Sequence, residues 1–325
     1  MSLRRHLARL LDPSLAPVAA DPPAAIDMRA LRPPLPALGG HGRQAICDSL
    51  CAMSLDGHDP AMTAGYARAD CERFIRTVDL VPDGRGRALE IGGNPYFISL
   101  LLRWYRPGFA LDHTNFFVET SGTAIQHVRV PAPGGAIEEH EFTYHNVNIE
   151  APPPQDFPFA DASLDGVLFC EVIEHLQMNP LRALREIWRI LKPGGWLILT
   201  TPNVARLVNA VRMIDGDNFH DPYSGHGPYG RHNREYSISE LNALMPFCGY
   251  EADVIFTSDV HDESVPELHV PPALARLLKH RENELGQYIF SRWRKGATPP
   301  RKGKPSWLYA SYPAELTIDL PYPHR

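Results

Sequence analysis

Three polar residues crowd the run Cys170-Glu171-Val172-Ile173-Glu174-His175-Leu176, and their types suit proton or metal chemistry. At spacings of three and four, Glu171, Glu174 and His175 reach one edge of a helix that starts here. Two carboxylates and an imidazole placed this way can hold a divalent cation. Without a metal, His175 serves as a general base if a substrate hydroxyl lies within hydrogen-bond reach. A third reading leaves the group to packing and hydrogen bonding, and spacing alone leaves all three open. The segment Tyr229-Gly230-Arg231-His232-Asn233-Arg234-Glu235-Tyr236-Ser237 supplies a second candidate base, His232. A further signal is Gly92-Gly93, where a backbone without Cβ lets a ligand come close.

These residues need a scaffold, and the surrounding pattern predicts one. Thr63 caps a helix from Ala64 to Val81, with Tyr66, Phe74, Ile75 and Val78 on its apolar side. Arg87–Ile91 reads as a buried strand, Gly92–Pro95 as a turn, and Phe97, Leu100, Leu101 and Trp104 as one side of a helix. Strands follow at Phe109–Leu111, Phe142–Tyr144, Leu164–Cys170 and Trp196–Thr200, with a helix over Pro180–Leu191 started by Asn179 and Pro180. A helix over Ser239–Phe247 and strands near Val254–Phe256 and Gln287–Trp293 close the chain. Strands alternating with helices imply a mostly parallel sheet covered on both faces.

The 325 residues suffice for one large domain with insertions. The formal net charge of −6 gives no basic footprint, which disfavours nucleic acid as a partner. Five cysteines, an odd count without a CxxC pair, predict reduced cytoplasmic thiols rather than disulfides or a zinc site. Neither a signal peptide nor a bilayer-spanning run is visible. Much of the proline falls before Gly40 and at Pro152-Pro153-Pro154, so residues 1–60 read as a loosely packed N-terminal extension. Residues 61–295 read as the main domain, with 203–236 as an insertion rich in Tyr, His and Gly, and 296–325 as a basic and aromatic tail. The basic stretch Arg292, Arg294, Lys295, Arg301, Lys302 and Lys304 suits a phosphate, a lipid headgroup or an acidic glycan, or else a solvated surface.

Three segments carry a family resemblance. Leu89-Glu90-Ile91-Gly92-Gly93-Asn94-Pro95 resembles the first motif of class I S-adenosylmethionine-dependent methyltransferases of the type 11/12 kind. Phe157–Val167 resembles their PF-x-D-x-SFD-x-V segment, and Leu184–Gly195 their E-x-x-R-x-LKPGG segment. The order is the family's, and the likeness runs from Arg87 to Asn203. It implies an α/β, doubly wound, mostly parallel seven-stranded Rossmann-like sheet, with S-adenosylmethionine as cofactor. By the same resemblance Glu90 receives the cofactor's amino-acid portion, and Gly92, Gly93 and Asn94 form the loop around it. Asp112 takes the ribose hydroxyls (Asn115 if the strand is shifted), Asn146 or Asn148 reads the adenine edge, and Cys170 lines the site. Asn94-Pro95-Tyr96 stands where a third glycine is common. Pro95 can start the helix and Asn94 tolerates a left-handed turn, so the departure counts chiefly against a dinucleotide G-x-G-x-x-G site.

On the acceptor side the Tyr229–Ser237 segment is similar to an RH-x-x-x-[FY] stretch of some O-methyltransferases. Small-RNA 2′-O-methyltransferases pair an E-x-x-E-H set with a downstream histidine, which implies Glu171, Glu174, His175 and His232 as ligands of Mg2+ or Mn2+. The expected activity is methylation of a hydroxyl on a sugar, polysaccharide or glycolipid precursor, with His175, His232 or Glu171 in the catalytic role. The expected partner is a small-molecule or glycan acceptor, and a homo-oligomer stays open. An RNA 2′-O-methyltransferase and a non-catalytic cofactor-binding protein are the alternatives.

Overall fold

Apolar residues at alternate positions of consecutive strands dictate a sheet with two buried faces. In the structure, a computed structural model describing residues 31–117, 122–151, 157–225, 227, 229–261 and 272–323, that sheet has nine strands. The elements begin with α1 (Arg43–Cys51), β1 (Ser54–Leu55), α2 (Pro60–Asp79), β2 (Gly86–Ile91), α3 (Phe97–Tyr105) and β3 (Phe109–Asn115). They continue with β4 (Thr123–Pro131), β5 (Ile137–Asn146), β6 (Leu164–Cys170), α4 (Pro180–Ile190), β7 (Leu191–Pro202) and α5 (Leu207–Asp215). Next come α6 (Ile238–Phe247), β8 (Tyr250–Ser258), α7 (Pro272–Leu278), β9 (Tyr288–Lys295), β10 (Lys304–Pro305) and β11 (Thr317–Ile318).

The strand order is β1-β4-β5-β3-β2-β6-β7-β9-β8. The central five, β5-β3-β2-β6-β7, are parallel, and the flanking pairs are antiparallel. This is a doubly wound sheet whose order reverses between β2 and β6, so a crevice opens beyond the carboxyl ends of those strands. Seven strands were expected. The two extra are β4, whose alternating exposure pairs it against β5 as a hairpin, and the short β1 at the edge.

Period-two alternation sorts the side chains. Leu168, Ile198 and Phe290 face α2 and α3, packing on Phe74, Val78 and Leu101. Val167, Leu197, Leu199 and Trp293 face α4 and α6, packing on Leu184, Ile187 and Leu241. Each fully buried aliphatic side chain contributes about 1.5–3 kcal/mol. Helix α2 begins earlier than expected, because Asp59 accepts from Ala61 N–H and Pro60 fits the first turn. Helix α6 has a capping box between Ser237 and Glu240.

Gly166 shows how tightly the sheet is packed: a Cβ there would fall 2.0 Å from the indole of Trp196. Gly166→Ala is therefore expected to cost about 3 kcal/mol through overpacking. Urea denaturation checks this, and an unchanged midpoint would contradict the packing described.

Three expectations are corrected here. From Leu31 onward the supposed loose extension packs, since Leu38, Ile46, Leu50 and Leu55 join the core through α1 and β1. The insertion is not all loop: α5 occupies Leu207–Asp215 and buries Leu207, Asn209 and Val211. The basic stretch is largely committed within the fold. Arg292 and Arg294 share Asp253, Lys295 lies over Trp188, Arg301 over Phe247 and Lys304 over Tyr309. The residues before Leu31 and the Pro152–Pro154 triplet lie outside the described residues.

Candidate active site

The glycine turn follows β2 directly. Gly92 has φ 71°, and its N–H donates to Thr114 O at 2.7 Å. A Cβ on Gly92 would stand 3.0 Å from Val172, and one on Gly93 3.3 Å from the carboxyl of Glu90 and 3.3 Å from the His113 ring. Gly92 is exposed at a positive φ and Gly93 is buried, and both leave little room for a Cβ beside these neighbours. Beneath them Glu90 is buried and accepts from Ser99 Oγ, which also meets His113 Nε2 at 2.7 Å. Burial pushes the Glu90 carboxyl up to about 7 against those hydrogen bonds, and burial lowers His113 to about 4. Glu90 thus braces the loop from below.

The loop's other side is tied by Asn115, at the end of β3. Its Oδ1 accepts from Asn94 N–H at 3.1 Å, and its Nδ2 donates to Tyr96 OH at 3.0 Å. The left-handed residue is Tyr96, φ 71°, rather than the expected Asn94. Asp112 does not reach this edge. It pairs in register with Leu89, three residues short of the strand's end, and Arg87 holds its carboxylate at 2.6 and 2.9 Å. The cause is length: β3 runs on to Asn115, so the strand-end position belongs to Asn115. Asn146 closes β5 and exchanges hydrogen bonds with the Phe117 backbone. Asn148 accepts from Glu150 N–H, and Cys170 ends β6 beside Thr200.

Beyond Cys170 the chain does not start an α-helix. Glu171 takes φ 53°, and Ile173–His175 form one 3-10 turn. The left-handed residue turns Glu171 away from its expected companions and toward α2, where its carboxylate lies 3.8 Å from Arg73 Nη1. Burial raises the Glu171 carboxyl, with Arg73 opposing. Arg73 is 4% exposed, bonds Asp70 at 2.8 Å and donates to Tyr66 OH at 2.7 Å. It went unnoticed in the sequence because it sits among Cys71 and Phe74 on an apolar stripe.

Glu174, His175 and His232 do come together, each offering a ligand atom within 4.8 Å of the others. Glu174 is fully buried. Its Oε2 accepts from Thr201 at 3.0 Å, while its Oε1 has no hydrogen-bond partner and lies 3.8 Å from His175 Nε2. Burial, then Glu171, raises the Glu174 carboxyl well above the usual range. His175 Nδ1 donates to Arg231 O at 2.9 Å, and its ring centroid is 5.1 Å from that of His232. Burial, then His232, lowers His175.

His232 has partners the sequence did not reveal. Its Nδ1 meets Glu235 Oε1 at 3.1 Å and Asp221 Oδ2 at 3.3 Å. Burial alone would lower its pKa, but the Glu235 hydrogen bond and the Asp221 charge prevail and raise it. Arg206 in turn pairs with Glu235. The spacing of Glu235 three residues after His232 was a usable signal. Asp221, eleven residues earlier in an aromatic run, gave none. The insertion also packs on the end of β3: the Tyr229 ring meets Phe116 edge-on at 5.8 Å.

Residues 110–199 match the family model described as a methyltransferase domain. The chain is 31% identical over 111 residues to a probable S-adenosylmethionine-dependent methyltransferase of Mycolicibacterium smegmatis, covering 34% of this chain and 37% of that one. It is 29% identical over 164 residues to another of that description from Mycobacterium tuberculosis, covering 50% of this chain and 47% of that one. The matched region is a class I S-adenosylmethionine-dependent methyltransferase domain. The chain spans less than half the length of the curated relatives it matches. A solved S-adenosylmethionine-dependent methyltransferase from Archaeoglobus fulgidus is 15% identical, covering 71% of this chain and 94% of that one, with a TM-score of 0.42. The family match runs from β3 into β7, so it includes Glu171–His175 and stops short of His232 and its carboxylates.

Proposed function

We propose that this protein moves a methyl group from S-adenosylmethionine to a hydroxyl oxygen on a sugar or glycan acceptor, with His232 taking the proton. The observation that carries the reading is the pair of carboxylates on His232 Nδ1. Carboxylates accept, so Nδ1 carries the hydrogen and Nε2 keeps the lone pair. The exposed positive-φ Gly92 at the carboxyl end of β2, beside the sheet's switch point, suits the close backbone approach that the cofactor needs. S-adenosylmethionine supplies an electrophilic methyl on a sulfonium. Bound there, it would give that methyl to the acceptor oxygen and leave as the neutral thioether, and His232 Nε2 would take the hydroxyl proton. Holding the two reactants in line accounts for much of the rate. Phe219, Tyr223 and Tyr229 in the insertion, interleaved with polar groups, favour a hydroxylated ring as acceptor. The five free cysteines favour a cytoplasmic setting.

Labelled-methyl transfer against pH tests this. His232 must be neutral to act, and its pKa is raised, so kcat/KM should fall as pH drops through a midpoint above 6.5. Glu235→Gln removes the largest raising contact and should move that limb to lower pH. A limb unmoved by Glu235→Gln would count against His232 as the base.

A second reading is favoured by one observation, the unpartnered Glu174 Oε1 beside two imidazoles. Glu174, His175 and His232 would then hold a divalent ion, with Thr201, the Arg231 carbonyl and Glu235 orienting them from behind. Such an ion lowers the pKa of a bound hydroxyl. Glu171, expected among the ligands, lies outside this group. Turnover unaffected by EDTA supports the metal-free base, and loss restored by Mn2+ supports the ion.

A further inference from the structure

Resting on the acceptor reading above, a cavity lined by His232 is a place where that acceptor could be held. It measures about 490 Å³, within the usual span of small-molecule sites. Its lining includes His232, Asp221, Glu235 and Phe219, together with Tyr309 and Tyr322. Met178, 71% exposed, stands at the rim.

Residues 304–322, read from the sequence as a tail, form a small folded lobe. β10 and β11 pair in parallel, Lys304 opposite Thr317. Tyr309 is buried against the α4–α6 side of the core, and its hydroxyl donates to Asn179 Oδ1 at 2.8 Å. Tyr322 OH donates to Glu240 Oε1 at 2.9 Å, and Trp307 meets its ring edge-on at 6.1 Å. Both tyrosine hydroxyls are thus engaged with protein, so their rings are what an incoming molecule meets. Asp221 and Glu235 are bonded to His232, and Glu235 also to Arg206, so a hydroxyl donor would use the remaining lone pairs of their carboxylate oxygens. Arg234, the lining's one guanidinium, is bonded to Glu240.

We infer that this cavity seats the acceptor, that the acceptor is an uncharged sugar ring, and that the C-terminal lobe determines its specificity. The chemistry is ring contact with Phe219 and Tyr322 and hydroxyl donation to carboxylates. A phosphorylated or acidic sugar would meet three carboxylates, Asp221, Glu235 and Glu240, against the two guanidiniums paired with them, Arg206 and Arg234, which leaves the group negative while His232 is neutral.

The test is saturation-transfer NMR on the full chain with S-adenosylhomocysteine present. The probes are methyl hexopyranosides, with glucose 6-phosphate for comparison, and calorimetry follows S-adenosylhomocysteine alone. Tyr322 is 48% exposed, so Tyr322→Ala leaves the core intact, and Phe219→Ala probes a second lining ring independently. The expected result is transfer to at least one neutral glycoside and not to the phosphate. Each variant should lose at least tenfold in affinity for that glycoside while retaining S-adenosylhomocysteine binding. Three results would overturn the inference: transfer unchanged in both variants, a preference for the phosphate, or no glycoside bound by a protein that still takes S-adenosylhomocysteine. The last leaves the methyltransferase reading standing, whereas a folded protein that ignores S-adenosylhomocysteine removes that reading instead.

Discussion

His232→Ala is expected to lower kcat by about two orders of magnitude or more, the usual contribution of a positioned general base. Affinity for S-adenosylhomocysteine should stay within about twofold, because no glycine-loop contact involves this side chain. The combination separates a catalytic role from a structural one. His232 is only partly buried, and its ring contacts are His175, Glu235 and Asp221. Removing it leaves Glu235 bonded to Arg206, so the fold should persist, as circular dichroism will show. Turnover near wild type in a folded His232→Ala protein would remove the proton-transfer account given above.

Gly92→Val should have the larger effect on binding. Gly92 sits at φ 71°, where a β-branched residue is a strong outlier, and even its Cβ would lie 3.0 Å from Val172. The strain and the added side chain act together, and S-adenosylhomocysteine affinity is expected to fall by at least about tenfold, or roughly 1.4 kcal/mol. Backbone strain alone is controlled by Gly40→Val. Gly40 has φ 81°, and nothing lies within 4 Å of the Cβ position. That variant should be destabilised and yet bind the cofactor normally. Equal loss of binding in both variants would show that the glycine loop is not a special cradle.

Much of the scaffold was legible because its signals are local. Leu89–Gly93 is a buried strand meeting a positive-φ turn, and Leu181, Leu184 and Ile187 form a helical stripe over β6 and β7. Strand ends were less legible: Asp112 looked terminal, but the hydrogen-bonded register carries β3 on to Asn115. The Glu171–His175 run looked like a helix edge, and no periodicity in five residues announces the left-handed turn at Glu171 that splits the carboxylates between Arg73 and the histidines. The hardest parts were non-local. Asp221, Arg73 and Tyr322 join the site only through tertiary packing, across separations their sequence neighbours do not encode. Composition suggested a basic tail, whereas the structure spends those cations on aromatic rings and on Asp253.

The most direct single measurement is a calorimetric titration of the intact chain with S-adenosylhomocysteine at neutral pH, repeated in competition with S-adenosylmethionine. Saturable binding at one molecule per chain, displaced by S-adenosylmethionine, is the predicted result. A cooperatively folded protein that takes up neither compound would contradict the claim that the turn after β2 is built around them.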